Sequence, residues 1–278
     1  MRVGMISADP GHPLLSAAAG VLRGAGHRVT FAGPDGVVPF PGPDGPDRLE
    51  SGPLADVYLL KARTPDALAL AARLEERGAP VVNSVEATAR CQDRVGMAEV
   101  ARTAGLPFAE TLRTATVGAL ASAAPDLRFP LVLKSRHSRR DDLVARVDTA
   151  AELVELATAW REEPVIVQEF TANSGWDHKL WIVGGQPFAA RRRSELAPGG
   201  RGPNLPLPPA ALPAAWIESA LHVGEVFGLE VYGVDVLHAG AGVPLIVDIN
   251  AFPGVRGQAG APEALAELAL HRAASGRA

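Results

Sequence analysis

Absences bound this chain before any motif does. A single cysteine, Cys91, among 278 residues excludes an intrachain disulfide and a cysteine-rich metal centre, leaving packing as its expected role. No apolar run approaches the roughly 20 residues a membrane helix needs. Met1-Arg2-Val3-Gly4-Met5-Ile6 passes directly into a short apolar strand and does not read as a signal peptide. The expectation is a cytoplasmic protein with no membrane partner. Charge of one sign is also lacking: the net of −4 gives no bulk attraction to nucleic acid. The turn Ser7-Ala8-Asp9-Pro10-Gly11-His12 lacks the glycine spacing of a dinucleotide fingerprint, so no nicotinamide cofactor is expected there. His12 reads as a solvated loop residue. Lysine is scarce beside arginine, a coding bias that says little about function.

What is present is a βαβ rhythm, strand at Val3 to Ser7, helix at Pro13 to Gly24, strands at Val29 to Phe31 and Val57 to Lys61, helix at Pro65 to Arg77, strand at Val81-Val82. That order predicts a small parallel sheet. Gly33 to Pro53, dense in glycine, proline and aspartate, reads as a long flexible surface loop. Ser84 caps a helical stretch that resumes from Arg94 to Thr103. A second α/β unit follows, with strands at Phe129 to Lys134, Leu143 to Val147 and Pro164 to Phe170 around a helix at Thr149 to Trp160. Strands at His178 to Val183 and Pro187 to Arg193, a helix at Ala214 to Phe227, two more strands and a helix at Pro262 to Ala273 complete the chain. The class is therefore α/β, becoming α+β in the C-terminal part.

Those last two strands carry the chemistry. Leu245 to Gly254 is a β-branched apolar run interrupted by Asp248 and Asn250. Residues i and i+2 of a strand share a face, roughly 7 Å apart. Val231 to Leu237 is equally apolar with Asp235 in its middle, and His238 to Val243 reads as the connecting hairpin turn. Antiparallel pairing would bring Asp235 alongside Asp248 and Asn250. Hard oxygen donors without cysteine or histidine suit Mg²⁺, not zinc. The plainer alternative is that each acid caps a strand end.

Positive charge gathers upstream. Lys134 ends a buried strand and leads into the basic loop Ser135 to Asp142, where Arg136, His137, Arg139 and Arg140 could close over phosphate. A solvated basic turn remains the alternative. Gln168-Glu169-Phe170 lies where a strand runs out, so its backbone could read a base edge. Asp177, Lys179 and Trp181 share one strand face, and a cation there could neutralise a transferring phosphoryl group. Arg191-Arg192-Arg193 cannot all share a face.

In this order the residues resemble the ATP-grasp superfamily, and within it the glutathione-synthetase-like carboxylate–amine ligases of the RimK and LysX type. The resemblance spans roughly residues 55 to 258. Val81-Val82-Asn83-Ser84 with Gln92-Asp93-Arg94 resembles the family's VVN…DK, Arg94 standing where a nucleotide-binding lysine is usual. Lys134 matches the second lysine and Gln168-Glu169-Phe170 the adenine hinge. Asp177-His178-Lys179 through Gly184-Gly185 looks like DIR…VVGG, and Ala190-Arg191-Arg192-Arg193 with Asn204 resembles AIRR and its following asparagine. The resemblance implies an ATP-grasp fold in three parts: a Rossmann-like domain at 1–82, a central ATP-grasp subdomain at 83–167 and a C-terminal one at 168–278. It implies ATP bound by Arg94, Lys134, Gln168, Glu169, Phe170 and Asp177. Mg²⁺, with Mn²⁺ as an alternative, would sit on Asp235, Asp248 and Asn250, Asp248 replacing the usual glutamate. Lys179, Arg192 and Arg193 would be catalytic, and Arg192, Arg193 and Asn204 would face substrate. Small-molecule or peptide carboxylates and amines are the implied partners, and a homodimer or homotetramer the assembly.

One departure is chemical. The family usually has a glycine-rich flap between Lys134 and Leu143, and this chain has no glycine there. Close backbone approach to phosphate is thereby restricted. A kinase of a polyanionic small molecule, from the inositol-phosphate-kinase branch that shares the arginine for lysine, is the alternative enzyme. A nucleotide-binding protein without turnover is the alternative outside catalysis.

Overall fold

A computed structural model describes residues 1–38, 48–139, 141–238, 240 and 242–276. Arg140, most of the proline-rich centre of the Gly33 to Pro53 loop and two positions of the His238 to Val243 turn lie outside the described residues.

The first layer is a parallel sheet of β1 (Arg2–Ile6), β2 (Arg28–Ala32), β3 (Val57–Leu60) and β4 (Val81–Val82), in the order β2-β1-β3-β4. Helix α1 (Pro13–Gly24) follows β1 and α2 (Pro65–Glu76) follows β3, each with proline in its first turn, where a missing N–H costs nothing. Thr64 Oγ1 accepts from Ala67 N and caps α2. The described ends of the long loop are pinned: Val38 and Leu49 are buried, and Val37 bridges Arg48. Beyond β4 come α3 (Val85–Arg90), capped by Ser84, and α4 (Arg94–Thr103), capped by Asp93.

The second sheet is antiparallel, β5-β8-β6-β7, formed by β5 (Arg113–Thr116), β6 (Leu131–Ser135), β7 (Val144–Val147) and β8 (Pro164–Glu169). Helices α5 (Val117–Ser122) and α6 (Ala150–Trp160) cover one face over Leu120, Leu133, Leu153 and Val165. Neither β5 nor α5 follows from the sequence pattern. β5 is only Arg-Thr-Ala-Thr, whose exposure is set by its position at the sheet edge.

The third sheet, order β11-β10-β9-β12-β13, comprises β9 (Trp176–Val183), β10 (Gln186–Arg193), β11 (Leu205–Leu207), β12 (Val231–His238) and β13 (Pro244–Ala251). Helix α7 (Ala214–Phe227) packs with α4 on one face, and α8 (Ala261–Ser275) covers the other. Tyr232 Oη donates to Ala220 O at 2.8 Å, and its ring lies so close to α7 that a side chain on Gly224 would start 2.4 Å from the hydroxyl. Only glycine permits that approach.

Helix α8 also packs against α1 and β3, so one core, from Met5 and Leu15 through Leu265 to Phe188 and Val231, joins the first and third sheets. Asn83 fixes the same join: its Nδ2 donates to Val231 O at 2.7 Å, and its Oδ1 accepts from Glu230 N and Val231 N at 2.8 and 3.0 Å. The side chain is 1% exposed. Asn83→Ala should cost about 3–5 kcal/mol by orphaning these buried groups, visible as a lower urea midpoint at unchanged slope. A loss under about 1 kcal/mol would mean that water replaces the clamp. Among the described residues no helix is long and apolar enough to cross a membrane.

Candidate active site

The register of the last two strands decides the site. Asp235 lies opposite Asp248, and Gly233 opposite Asn250. The pairing then slips: Val236 faces Ile246, leaving Val247 as the extra residue of a bulge. A bulged residue has no ladder partner, and Val247 O accepts instead from Lys134 Nζ, at 2.6 Å, across from the second sheet. The bulge is thus where the two antiparallel sheets meet.

Around it a charge network is buried. Arg94, at the start of α4, donates through Nη1 to Asp142 at 2.7 Å and to Ser135 O at 2.8 Å, and its Nη2 lies 3.5 Å from Asp248. Lys179 on β9 sits laterally beside Asp235 and donates to its carboxylate. Asn250 Nδ2 donates to Asp248 Oδ2 at 3.2 Å. Burial would raise the Asp248 pKa, but Arg94, Lys134 and Lys179 outweigh it and hold the carboxyl below the usual aspartate range. Burial pushes Lys134 down despite Asp248. Burial opposes the charge on Arg94 as well, but Asp248 and Asp142 leave its pKa raised. Asp177 on β9 faces Arg192 on β10 at 3.8 Å, both buried.

Six of these groups line one cavity, whereas Lys179 and Asn250 touch its aspartates without lining it. Arg94, Lys134, Asp177, Arg192, Asp235 and Asp248 supply charge, and Val132, Val144 and Leu237 supply apolar wall beside Gln168, Glu169 and Phe170. Gln168 Nε2 is tied to Ala109 O at 3.2 Å, where the end of β8 reaches the cavity. An apolar wall beside a strand end and a cluster of cations suits a nucleoside triphosphate.

Other expected residues fall elsewhere. Strand alternation sends Arg192 inward and Arg193 outward: Arg193 is exposed, donates to Pro198 O at 2.7 Å and lines a neighbouring cleft with Trp176 and Phe170. Arg191 turns over the Trp176 ring, 4.9 Å from its centre. Asn204, just before β11, is half-buried and lines neither cavity. Among the described residues of the basic loop, acids hold two arginines away from the cavity: Arg136 forks onto Asp93 and Arg139 onto Glu163, and neither lines it. Two lining groups escaped the sequence reading. Arg146 lies 3.8 Å over the Phe170 ring, and its period-2 spacing from Val144 was the available signal. Glu195 comes from a Gly/Pro-rich segment without periodicity and gave none.

Asp248 Oδ1 is buried and has no hydrogen-bond partner, a position a cation would satisfy. Among the described residues no three carboxylates, histidines or cysteines converge. Two carboxylates and an amide fit Mg²⁺, which binds through few protein oxygens and keeps water and phosphate as its other ligands.

Two antiparallel sheets holding a cavity of lysine, arginine and aspartate between them, after a parallel α/β sheet, define an ATP-grasp protein. The family model of the RimK-like ATP-grasp domain matches residues 114–262, over half of the chain, and the chain belongs to that family. A probable alpha-L-glutamate ligase of Thioalkalivibrio sulfidiphilus is 32% identical over 139 residues, 46% of this chain and 44% of that protein. A probable alpha-L-glutamate ligase of Syntrophotalea carbinolica matches to the same extent. The match thus spans less than half the length of these curated relatives. Among solved structures, a RimK domain ATP-grasp protein of Sphaerobacter thermophilus superposes with a TM-score of 0.73 at 23% identity, covering 97% of this chain and 100% of that one. A D-alanine–D-alanine ligase of Bacillus anthracis gives 0.70 at 16% identity, covering 99% and 96%. At such identities the structures speak for the fold.

Proposed function

We propose that the protein is an ATP-dependent carboxylate–amine ligase acting on an amino acid or peptide. A substrate carboxylate oxygen attacks the γ-phosphorus of ATP, the bond to the β-bridging oxygen breaks, and ADP leaves. The amine then attacks the acyl carbon, loses a proton, and phosphate departs with both electrons of the C–O bond. The observation carrying this reading is that Lys134, Arg94, Asp235 and Asp248 line one cavity, with Lys134 bonded to Val247 O, Arg94 beside Asp248 and Lys179 bonded to Asp235 behind the lining.

Mg²⁺ on Asp235, Asp248 and Asn250 would neutralise the phosphates between which charge moves. Lys134 and Arg94 bind the triphosphate, and Val132, Val144 and Leu237 exclude water around the base. Arg192, oriented by Asp177, stabilises the oxyanion that develops at the acyl carbon. Lys179 holds Asp235 in place and meets the transferring phosphoryl group. No protein nucleophile is needed, since positioning and electrostatics suffice.

The test is ADP release with ¹⁸O-labelled carboxylate substrates, amino acids and peptides alike, in the presence of amine acceptors. Label moving into phosphate is the expected result. A phosphorylated alcohol with no label transfer would replace the ligase with a kinase. ATP binding with no ADP formed across the panel would leave a nucleotide-binding protein.

A further inference from the structure

Of the buried titratable side chains outside the mechanism, His12 is 8% exposed instead of solvated, and Asp142 touches a group the mechanism needs. The Asp142 carboxylate accepts from Arg94 Nη1 at 2.7 Å, with the two side chains 15% and 5% exposed. Asp142 belongs to the glycine-free loop, and its contact with Arg94 follows from how that loop folds.

The loop from Ser135 to Asp142 is closed at its base: Ser135 N donates to Leu143 O at 2.8 Å, and Leu143 N to Ser135 Oγ at 2.9 Å. Ser138 N donates to Gln92 O at 2.8 Å and Arg94 N to Arg136 O at 2.9 Å, which lays the loop along the start of α4. The ion pairs of Arg136 with Asp93 and Arg139 with Glu163 hold it there. Asp141 turns the chain at φ 58°, a left-handed conformation that aspartate reaches more readily than most residues. The next residue, Asp142, thereby meets Arg94.

Arg94 is thus matched by two carboxylates before any ligand arrives, Asp142 at 2.7 Å and Asp248 at 3.5 Å. Lys134, the other cation assigned to phosphate, bonds a neutral carbonyl. Arg94 and Asp248 line the cavity and Asp142 does not, so Asp142 holds the guanidinium from outside the space a triphosphate would fill. A phosphate would meet a cation whose charge is already balanced. It would also feel the carboxylate across the guanidinium; at an effective dielectric of about 20, like charges so placed repel by enough to change affinity about tenfold. Orientation of Arg94 depends less on that charge. Ser135 O accepts from Nη1 at 2.8 Å, and a neutral amide at position 142 could accept where the carboxylate did.

We propose that Asp142 is an affinity-setting residue for the nucleotide: by holding Arg94 from the loop, it keeps binding of a nucleoside triphosphate weaker than the cations of the cavity alone would give. This deepens the nucleotide part of the ligase reading and does not depend on what is ligated. With the full chain and Mg²⁺, calorimetry would compare a non-hydrolysable ATP analogue with adenosine in wild type, Asp142→Asn, Asp142→Ser and Asp142→Glu. The two neutral variants should bind the analogue about tenfold more tightly and adenosine no differently. Asp142→Glu, which keeps the charge, should stay near wild type. Because Arg94 loses a buried partner, the neutral variants should melt lower without nucleotide. Analogue at one fixed concentration should raise their Tm by more than it raises that of wild type. Unchanged or weaker analogue affinity in a folded neutral variant would overturn the proposal, make Asp142 a structural support for Arg94 and leave the nucleotide site standing. An equal gain for adenosine would overturn it too, since adenosine carries no phosphate. Analogue binding by none of the four proteins would remove the nucleotide site itself, and the proposal with it.

Discussion

Asp248→Asn is expected to lower kcat by about 10³-fold or more and to destabilise the fold. The rate loss follows from removing a charge where the phosphoryl group is to move; electrostatic groups of this sort are worth about 10²–10³ each, and a metal ligand more. The stability loss follows from Arg94 and Lys134, which stay buried when their shared counter-charge goes. Breaking a buried pair costs about 3–5 kcal/mol. The double variant Asp248→Asn with Arg94→Met should recover part of the stability and none of the activity. Urea midpoints and ADP release separate the two effects. Full activity in a well-folded Asp248→Asn would remove this residue from the site.

The same carboxylate gives a pH signature. Its folded pKa lies below the unfolded value of roughly 3.9. Its contribution to stability is therefore fully present above that value and lost as pH falls through the lower, folded one. Wild type and Asp248→Asn should differ by a constant amount from neutrality down to about pH 5 and converge only in stronger acid.

Lys134→Met should separate function from stability in the opposite sense. Affinity for ATP should fall about 100-fold, since the ammonium is a buried point charge facing the phosphates. Stability should change by no more than about 1–2 kcal/mol. Burying an ammonium is itself unfavourable, as the lowered pKa of Lys134 shows, and a methionine fills the same volume. Its losses are the bond to Val247 O and one of the cations around Asp248, whose neighbours Arg94 and Lys179 remain. Calorimetry with an ATP analogue and urea unfolding measure the two quantities. Unchanged affinity would dismiss Lys134 as a phosphate ligand, and collapse of the fold would make it a structural tie between sheets.

Legibility followed the range of the interaction. Helices with their caps at Ser84 and Thr149 were readable because a cap bonds two or three residues away. The shared face of Asp248 and Asn250 was readable for the same reason. β5 was not, since four residues with no apolar alternation become a strand only when β8 is beside them. Arg193 was assigned with Arg192 because the motif treats them alike, whereas the pleat sends neighbours to opposite faces. The basic loop was expected over phosphate; its Arg136 and Arg139 go to Asp93 and Glu163, acids distant in sequence.

By itself the sequence determined most of the elements, their order along the chain, and which residues could carry charge into a buried strand. Such choices are set by residues within a few positions of one another. Only tertiary structure decided which charges meet: the bulge at Val247 that frees a carbonyl for Lys134, the pairing of Lys179 with Asp235, and the approach of His12 and Arg256 to Gly254. A buried ion has no preferred neighbour until packing excludes water and leaves another charge as its remaining partner.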